Sequence, residues 1–207
     1  MSELSPRLGN NRLPRNVAIV ITEGETERIY FNGLKQRNLN IEIRPERGKR
    51  PNALQLMENC EKRIREDELD IEDGDIAICV FDVDNNSQKD IEAAIDLAEK
   101  NNIIVALSNP CFELWYLLHF REINHHVSCR DVQSELSRYI PDYDKTGDYR
   151  NLLTPKRKQA MDRAIKIAKG RSLKDCVDYM RSTNNPCTNV HVAINGIEKL
   201  AKKNRLI

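Results

Sequence analysis

The sequence predicts an α/β fold: a mainly parallel four-stranded sheet flanked by helices, followed by an all-helical C-terminal extension. Two observations carry this. Four short runs rich in apolar and β-branched residues, VAIVIT (17–22), NIEIRP (40–45), IAICVFDVD (76–84) and IIVALS (103–108), are separated by stretches of helical periodicity. Alternation at that spacing gives βα units, whose crossovers make neighbouring strands parallel and place helices on both faces. Beyond residue 120 only helical patterns recur, so a core domain over 16–120 and a basic helical extension over 121–207, packed on it, are expected.

The elements follow in order. VAIVIT reads as a buried strand, and ETERIYFNGLKQRN as a helix with Ile29, Tyr30 and Leu34 on one side. NIEIRP alternates like a short strand. A basic loop, RPERGKRP, leads through Pro51 into a helix carrying Leu54, Leu56, Met57 and Ile64. IAICVFDVD is the clearest strand, Ser87 is placed to cap the helix after it, and IIVALS is the fourth strand. Helices are expected around 129–140, 155–169, 173–182 and 188–203, with Thr188 as a helix cap and PDYDKTGDYRNLLTP as a loop.

Composition narrows the function. Of 207 residues, 40% are hydrophobic and 31% charged, with 33 basic against 32 acidic, which excludes disorder and a uniformly basic nucleic-acid binder. The balance hides an asymmetry. Residues 145–205 hold fifteen Lys and Arg against five Asp and Glu, a local +10, so the remainder carries −9. One end suits anions and the other suits cations. The longest apolar stretch, PCFELWYLLHF, falls far short of a membrane span and contains Glu113 and His119, and the opening residues lack the apolar core of a secretory signal. No membrane association and a cytoplasmic location are expected. The six cysteines form no C-x-x-C pair and read as free, mostly buried thiols. His125, His126 and Cys129 lack the matching second pair of a zinc site.

Two acidic clusters fall at the carboxyl ends of strands, where open α/β sheets bind ligands. Glu23 follows the first strand, Gly24 permits a tight turn, and Glu27 lies in the first turn of the helix. Asp82 and Asp84 close the third strand, where residues i and i+2 share a face. Four carboxylates are thereby directed into one crevice. Two like charges about 6 Å apart cost roughly 3 kcal/mol at an effective dielectric near 20, so an offsetting charge is needed. A hard divalent cation, Mg²⁺ or Mn²⁺, meets that need through oxygen ligands. The bland alternatives are a helix start enriched in acid by the macrodipole, for Glu25 and Glu27, and an ordinary turn at Asp84-Asn85-Asn86. Glu25 is assigned to solvent.

E-G-x-x-E after the first strand and D-x-D after the third, within a βα layout, resemble the Toprim domain of topoisomerases, primases and OLD-type nucleases. More narrowly, ITEGETERIYF, FDVDNN, SNPCFELWYLLHF and NPCTNVHVAI resemble the RloB-like family of bacterial defence proteins, over most of the chain. That resemblance implies metal-dependent phosphodiester cleavage of DNA or RNA, with transfer RNA among the targets by analogy, in an anti-phage system with an RloA-like ATPase subunit. It implies Glu23 as metal ligand or general acid/base, Glu27 as a second ligand and Asp82 and Asp84 as further ligands, in a two-metal scheme. Glu113 is the candidate for an additional downstream ligand, against a helix-surface or helix-pinning role.

Other residues carry a choice. His191 is a phosphate contact, a proton carrier or a packed histidine. Lys156, Arg157 and Lys158, in a basic segment over 155–171, track a phosphate backbone or form a solvated helix face. Arg47, Lys49 and Arg50 lie in the loop after the second strand, on the same rim. FDVDNN also resembles the D-x-D of haloacid-dehalogenase-like phosphatases, but there the motif ends the first strand. A non-catalytic nucleic-acid-binding or regulatory subunit of the ATPase is the alternative from another class.

Overall fold

The computed structural model describes residues 16–35, 41–48, 52–84, 86–168 and 185–203. Lys49 and Arg50 of the basic loop, and the helix expected over 173–182, lie outside the described residues. The elements are β1 (Asn16–Thr22), α1 (Glu25–Asn32), β2 (Ile41–Arg47), α2 (Ala53–Glu66), β3 (Ile76–Asp82), α3 (Gln88–Lys100), β4 (Ile104–Asn109), α4 (Glu113–Leu118), α5 (Cys129–Leu136), α6 (Arg150–Leu153), a 3₁₀ turn (Thr154–Lys156), α7 (Arg157–Ala168), β5 (Cys187–Thr188) and α8 (Val190–Lys203).

The sheet has five strands in the order β2-β1-β3-β4-β5. The first four are parallel, as their βα spacing requires. The expected count of four strands, and the expectation of helices alone beyond residue 120, are corrected by β5. This two-residue strand runs antiparallel to β4, pairing Ser108 with Thr188 and Asn109 with Cys187. Thr188, expected as a helix cap, lies in it: its hydroxyl meets Ser108 Oγ at 3.0 Å and donates to the Leu107 carbonyl at 3.1 Å. Asn189 continues the clip, accepting from Leu107 N–H and donating to the Val105 carbonyl. Two polar side chains thus do what strand periodicity does elsewhere, and they fasten the tail to the sheet.

Both faces of the sheet are covered, which is why the inner strands β1, β3 and β4 are mostly apolar, while the edge strand β2 alternates with charged residues. Successive side chains alternate: Ala18, Val20, Ile78, Val80 and Ala106 join α1, α4 and α8 in one cluster, while Ile19, Ile21, Cys79, Phe81 and Leu107 join α2 and α3 in the other. Pro45, which has no N–H for a ladder, sits on the edge strand β2. Ser87 caps α3 as its position predicts, accepting from Asp90 N–H, a contact worth about 1 kcal/mol. Cys60, Cys79 and Cys111 are buried free thiols, Cys187 is buried and Cys129 is half-buried. No helix among the described residues is long and apolar enough to cross a membrane.

Because α1 leaves β1 toward one face and α3 leaves β3 toward the other, a crevice opens between the carboxyl ends of these adjacent strands. Glu23 and Asp82 stand on its two sides.

Candidate functional site

Glu23 and Asp82 are joined directly. Glu23 N–H donates to the Val80 carbonyl at 3.0 Å, so the chain stays bound to β3 for one residue past the end of β1. The Glu23 carboxylate then accepts from Asp82 N–H (3.2 Å) and from Asn86 Nδ2 (3.4 Å), both at Oε2. Asn86 also donates to the Asp82 carbonyl at 2.6 Å and accepts from Ala53 N–H at 2.5 Å, linking the β3 turn to the start of α2. Asn86 is no candidate site residue in the sequence, where it figures only in the alternative of a turn at Asp84-Asn85-Asn86. Its signal was only its place two positions after D-x-D.

Gly24 has an ordinary extended backbone, φ −116° and ψ 173°, so glycine is not needed there for the turn itself. It is needed for room. A Cβ at Gly24 would stand 2.5 Å from Glu27 Oε2. The Glu27 carboxylate folds back over that space at the N-terminus of α1 and is 4% exposed. Glu25, by contrast, pairs with Arg28 at the surface, with Arg28 Nε donating at 2.9 Å.

Asp82 is the last residue of β3, and the strand does not continue to Asp84 as the i, i+2 argument supposed. Asp84 is exposed, in the turn, and accepts from Cys129 Sγ at 3.1 Å. It still lies close enough to raise the proton affinity of both Glu23 and Asp82. Glu113 is not a helix-surface glutamate. It is 2% exposed at the head of α4, whose six residues are all buried. Its Oε1 receives Tyr143 Oη (3.3 Å), Gln133 Nε2 (3.4 Å) and Lys145 Nζ (3.4 Å).

The electrostatics show which groups share the crevice. Burial first, then Glu27, Glu23, Glu113 and Asp84, hold the Asp82 carboxyl well above the usual range. Burial, followed by the charges of Glu113 and Glu23, pushes Glu27 up to about 7, against a bond from its own backbone N–H and the pull of Lys145. Glu23 is raised by burial, with its hydrogen bonds from Asp82 and Asn86 opposing. Asp82 Oδ1 is shielded from solvent and has no hydrogen-bond partner. Among the described residues, Lys145 is the cation that reaches this group: burial works against its charge, but Glu113 and Asp82 outweigh it and its pKa is raised. It comes from the loop PDYDKTGDYR, anchored where Thr26 Oγ1 donates to the Lys145 carbonyl at 3.0 Å. Sequence reading left it as loop because nothing in its local pattern marks a contact more than 100 positions away.

The remaining expected contacts divide. Arg47, exposed at the end of β2, reaches the Glu23 carbonyl at 3.4 Å and so lies on the rim. Lys156 lies 6.0 Å from the Phe120 ring centroid, and Lys158 is exposed on α7. Arg157 packs beside Tyr30 and reaches Glu198 at 4.0 Å. Arg163, on the same helix, donates to the Leu118 carbonyl at 2.7 Å. His191 is buried at the start of α8, and burial lowers its pKa; none of the carboxylates is among its electrostatic partners.

A divalent cation fits this donor set. The charges of Glu23, Glu27 and Glu113 raise the proton affinity of Asp82, those of Glu23 and Glu113 raise that of Glu27, and one shielded oxygen of Asp82 lacks any donor. Among the described residues, no group of three or more His, Cys, Asp and Glu side chains already stands as a metal-binding set.

A mostly parallel α/β sheet with acid gathered at its central strand ends defines the class of protein. The family model for RloB-like protein matches residues 18–197, and the chain belongs to that family. Neither the curated proteins nor the solved structures include a match.

Proposed function

We propose that this chain is a Mg²⁺- or Mn²⁺-dependent nuclease with a Toprim-like catalytic end, cleaving phosphodiester bonds in DNA or RNA. The observation that carries the reading is Asp82 Oδ1: a shielded carboxylate oxygen with no donor, at a strand end, among three further acids. Such an oxygen is costly to bury unless a proton or a bound cation neutralises it.

Cations bound here, one or two, supply charge neutralisation at the phosphate and a water of lowered pKa. Glu23, Glu27 and Asp82 are the residues to hold them, with Asp84 at the rim and Glu113 behind. Both hydrogen bonds to Glu23 land on Oε2, which fixes the carboxylate while Oε1 remains to bind or to move a proton. Lys145 and Arg47 supply positive charge on either side of the crevice, suited to the non-bridging oxygens of a phosphodiester. Membership of the RloB-like family, together with the motif resemblance, supports a role in bacterial anti-phage defence with an RloA-like ATPase subunit.

The test is cleavage of DNA and RNA panels, transfer RNA included, by the full chain with and without that ATPase. Metal-dependent cleavage removed by Glu23→Ala and by Asp82→Ala is expected. Absence of cleavage, or cleavage indifferent to both substitutions, contradicts the reading.

A further inference from the structure

A second feature lies where α4 and α5 point away from the crevice. Phe120, just past α4, and Tyr139, just past α5, stack with ring centroids 4.8 Å apart and planes 12° from parallel. Among the described residues this is the one stacked aromatic pair; the core aromatics meet edge-on or tilted, as buried rings do. Lys156 Nζ stands 6.0 Å from the Phe120 ring centroid. Phe120 is half-buried, but Tyr139 is 39% exposed, so the stack reaches solvent at Tyr139.

Arg138 is exposed beside Tyr139; of the acids nearby in sequence, Glu135 and Glu122 are paired with Arg121 and Lys166, and Asp142 is exposed three positions on. The two helices that carry the stack both begin at the crevice. Glu113 heads α4, and Cys129, which heads α5, donates to Asp84. Phe120 lies seven positions after Glu113, about 10 Å at helical rise.

We propose that Tyr139, backed by Phe120 and Lys156, is a stacking platform for an unpaired nucleobase, with Arg138 meeting an adjoining phosphate. The substrate class is then single-stranded or looped nucleic acid, because a continuous duplex hides the faces of its bases. This rests on the reading of the chain as a nuclease for its link to the crevice. The platform itself rests on the stack, its exposure and the neighbouring cations Lys156 and Arg138.

A direct test titrates the full chain with a short oligonucleotide carrying 2-aminopurine, single-stranded or annealed, with Ca²⁺ replacing Mg²⁺ so that binding is read without cleavage. The single strand is expected to bind at least about tenfold more tightly than the duplex, with quenching of the 2-aminopurine. Tyr139→Leu, which keeps apolar bulk but no ring face, is expected to lose the quenching and roughly tenfold in affinity, while Tyr139→Phe keeps both. Equal binding by Tyr139→Leu, equal binding of duplex, or no binding to either overturns the platform. Cleavage that Asp82→Asn abolishes and Tyr139→Leu leaves unchanged would sink the platform and spare the nuclease. Stacking without any cleavage would do the reverse.

Discussion

The Glu23 carboxylate accepts a hydrogen bond from the backbone N–H of Asp82 at 3.2 Å. That contact joins the loop after β1 to the end of β3 and sets the two acidic clusters against each other. Loss of a group that only supports a metal ligand typically costs about 10–100-fold, so loss of a ligand itself is expected to cost at least as much. Glu23→Gln and Asp82→Asn should each lower metal-dependent cleavage by roughly 100-fold or more, measured as kcat/KM on the best substrate of the panel.

Asn86 supports both residues without entering the crevice itself. Asn86→Ala removes its bonds to Glu23 and to the Asp82 carbonyl. A fall of about 10-fold in metal-dependent rate is expected, partly restored by raising the Mn²⁺ concentration. A rate that extra metal does not restore would place Asn86 outside this role.

Lys145 offsets part of the acidic charge and, on the proposed reading, is the group to meet the substrate phosphate. Lys145→Gln should therefore tighten cation binding, since one positive charge is removed beside Glu113 and Asp82, while lowering kcat/KM by about 10-fold or more. Opposite movement of affinity and rate is the signature. A parallel fall in both would mean that Lys145 only holds the fold.

The pH dependence has a defined sign. Glu27 takes up its proton near 7 in the folded protein, against an ordinary value of 4.5. Its neutral form is favoured by folding, so its contribution is complete below 4.5 and is lost as pH rises through about 7. For the metal-free protein this is a loss of order 3 kcal/mol, from a carboxylate 4% exposed; Asp82, also raised, acts in the same direction. Thermal unfolding with chelator should show a lower Tm at pH 8 than at pH 5, and Glu27→Gln should flatten the slope. Divalent cation should restore stability at pH 8 far more than at pH 5.

Gly24→Ala tests the cradle. The backbone angles at Gly24 suit any residue, but the new methyl group displaces the Glu27 carboxylate. Cation affinity is expected to fall by about 10-fold with stability changed by less than about 1 kcal/mol, read by metal titration and by denaturant unfolding.

The strands that position the site were legible because both faces of the sheet are buried: VAIVI and IAICVF are apolar at every position, and the acid just beyond them marks the edge of the core. Glu23, Asp82 and Glu27 follow from that edge. β5 was not legible, since two residues carry no periodicity, and Thr188 and Asn189 hold it by side-chain bonds to β4. Asp84 leaves the strand because the ladder ends at Asp82, a boundary that alternation alone does not set. Glu113 lies in a helix buried on all sides, where no amphipathic pattern distinguishes a surface from an interior glutamate. Lys145 and Tyr139 depend on contacts between distant segments.

The most direct measurement is Mn²⁺ binding by the full chain, followed through the electron paramagnetic resonance signal of the free ion. Wild-type protein at pH 8 should deplete the free signal, and binding should weaken as pH falls through about 7 and Glu27 takes up its proton. Asp82→Asn and Glu23→Gln should abolish or sharply weaken it. Mn²⁺ binding equal in wild type and both variants, or no binding by the wild type at pH 8, would contradict the assignment of this crevice as a cation site.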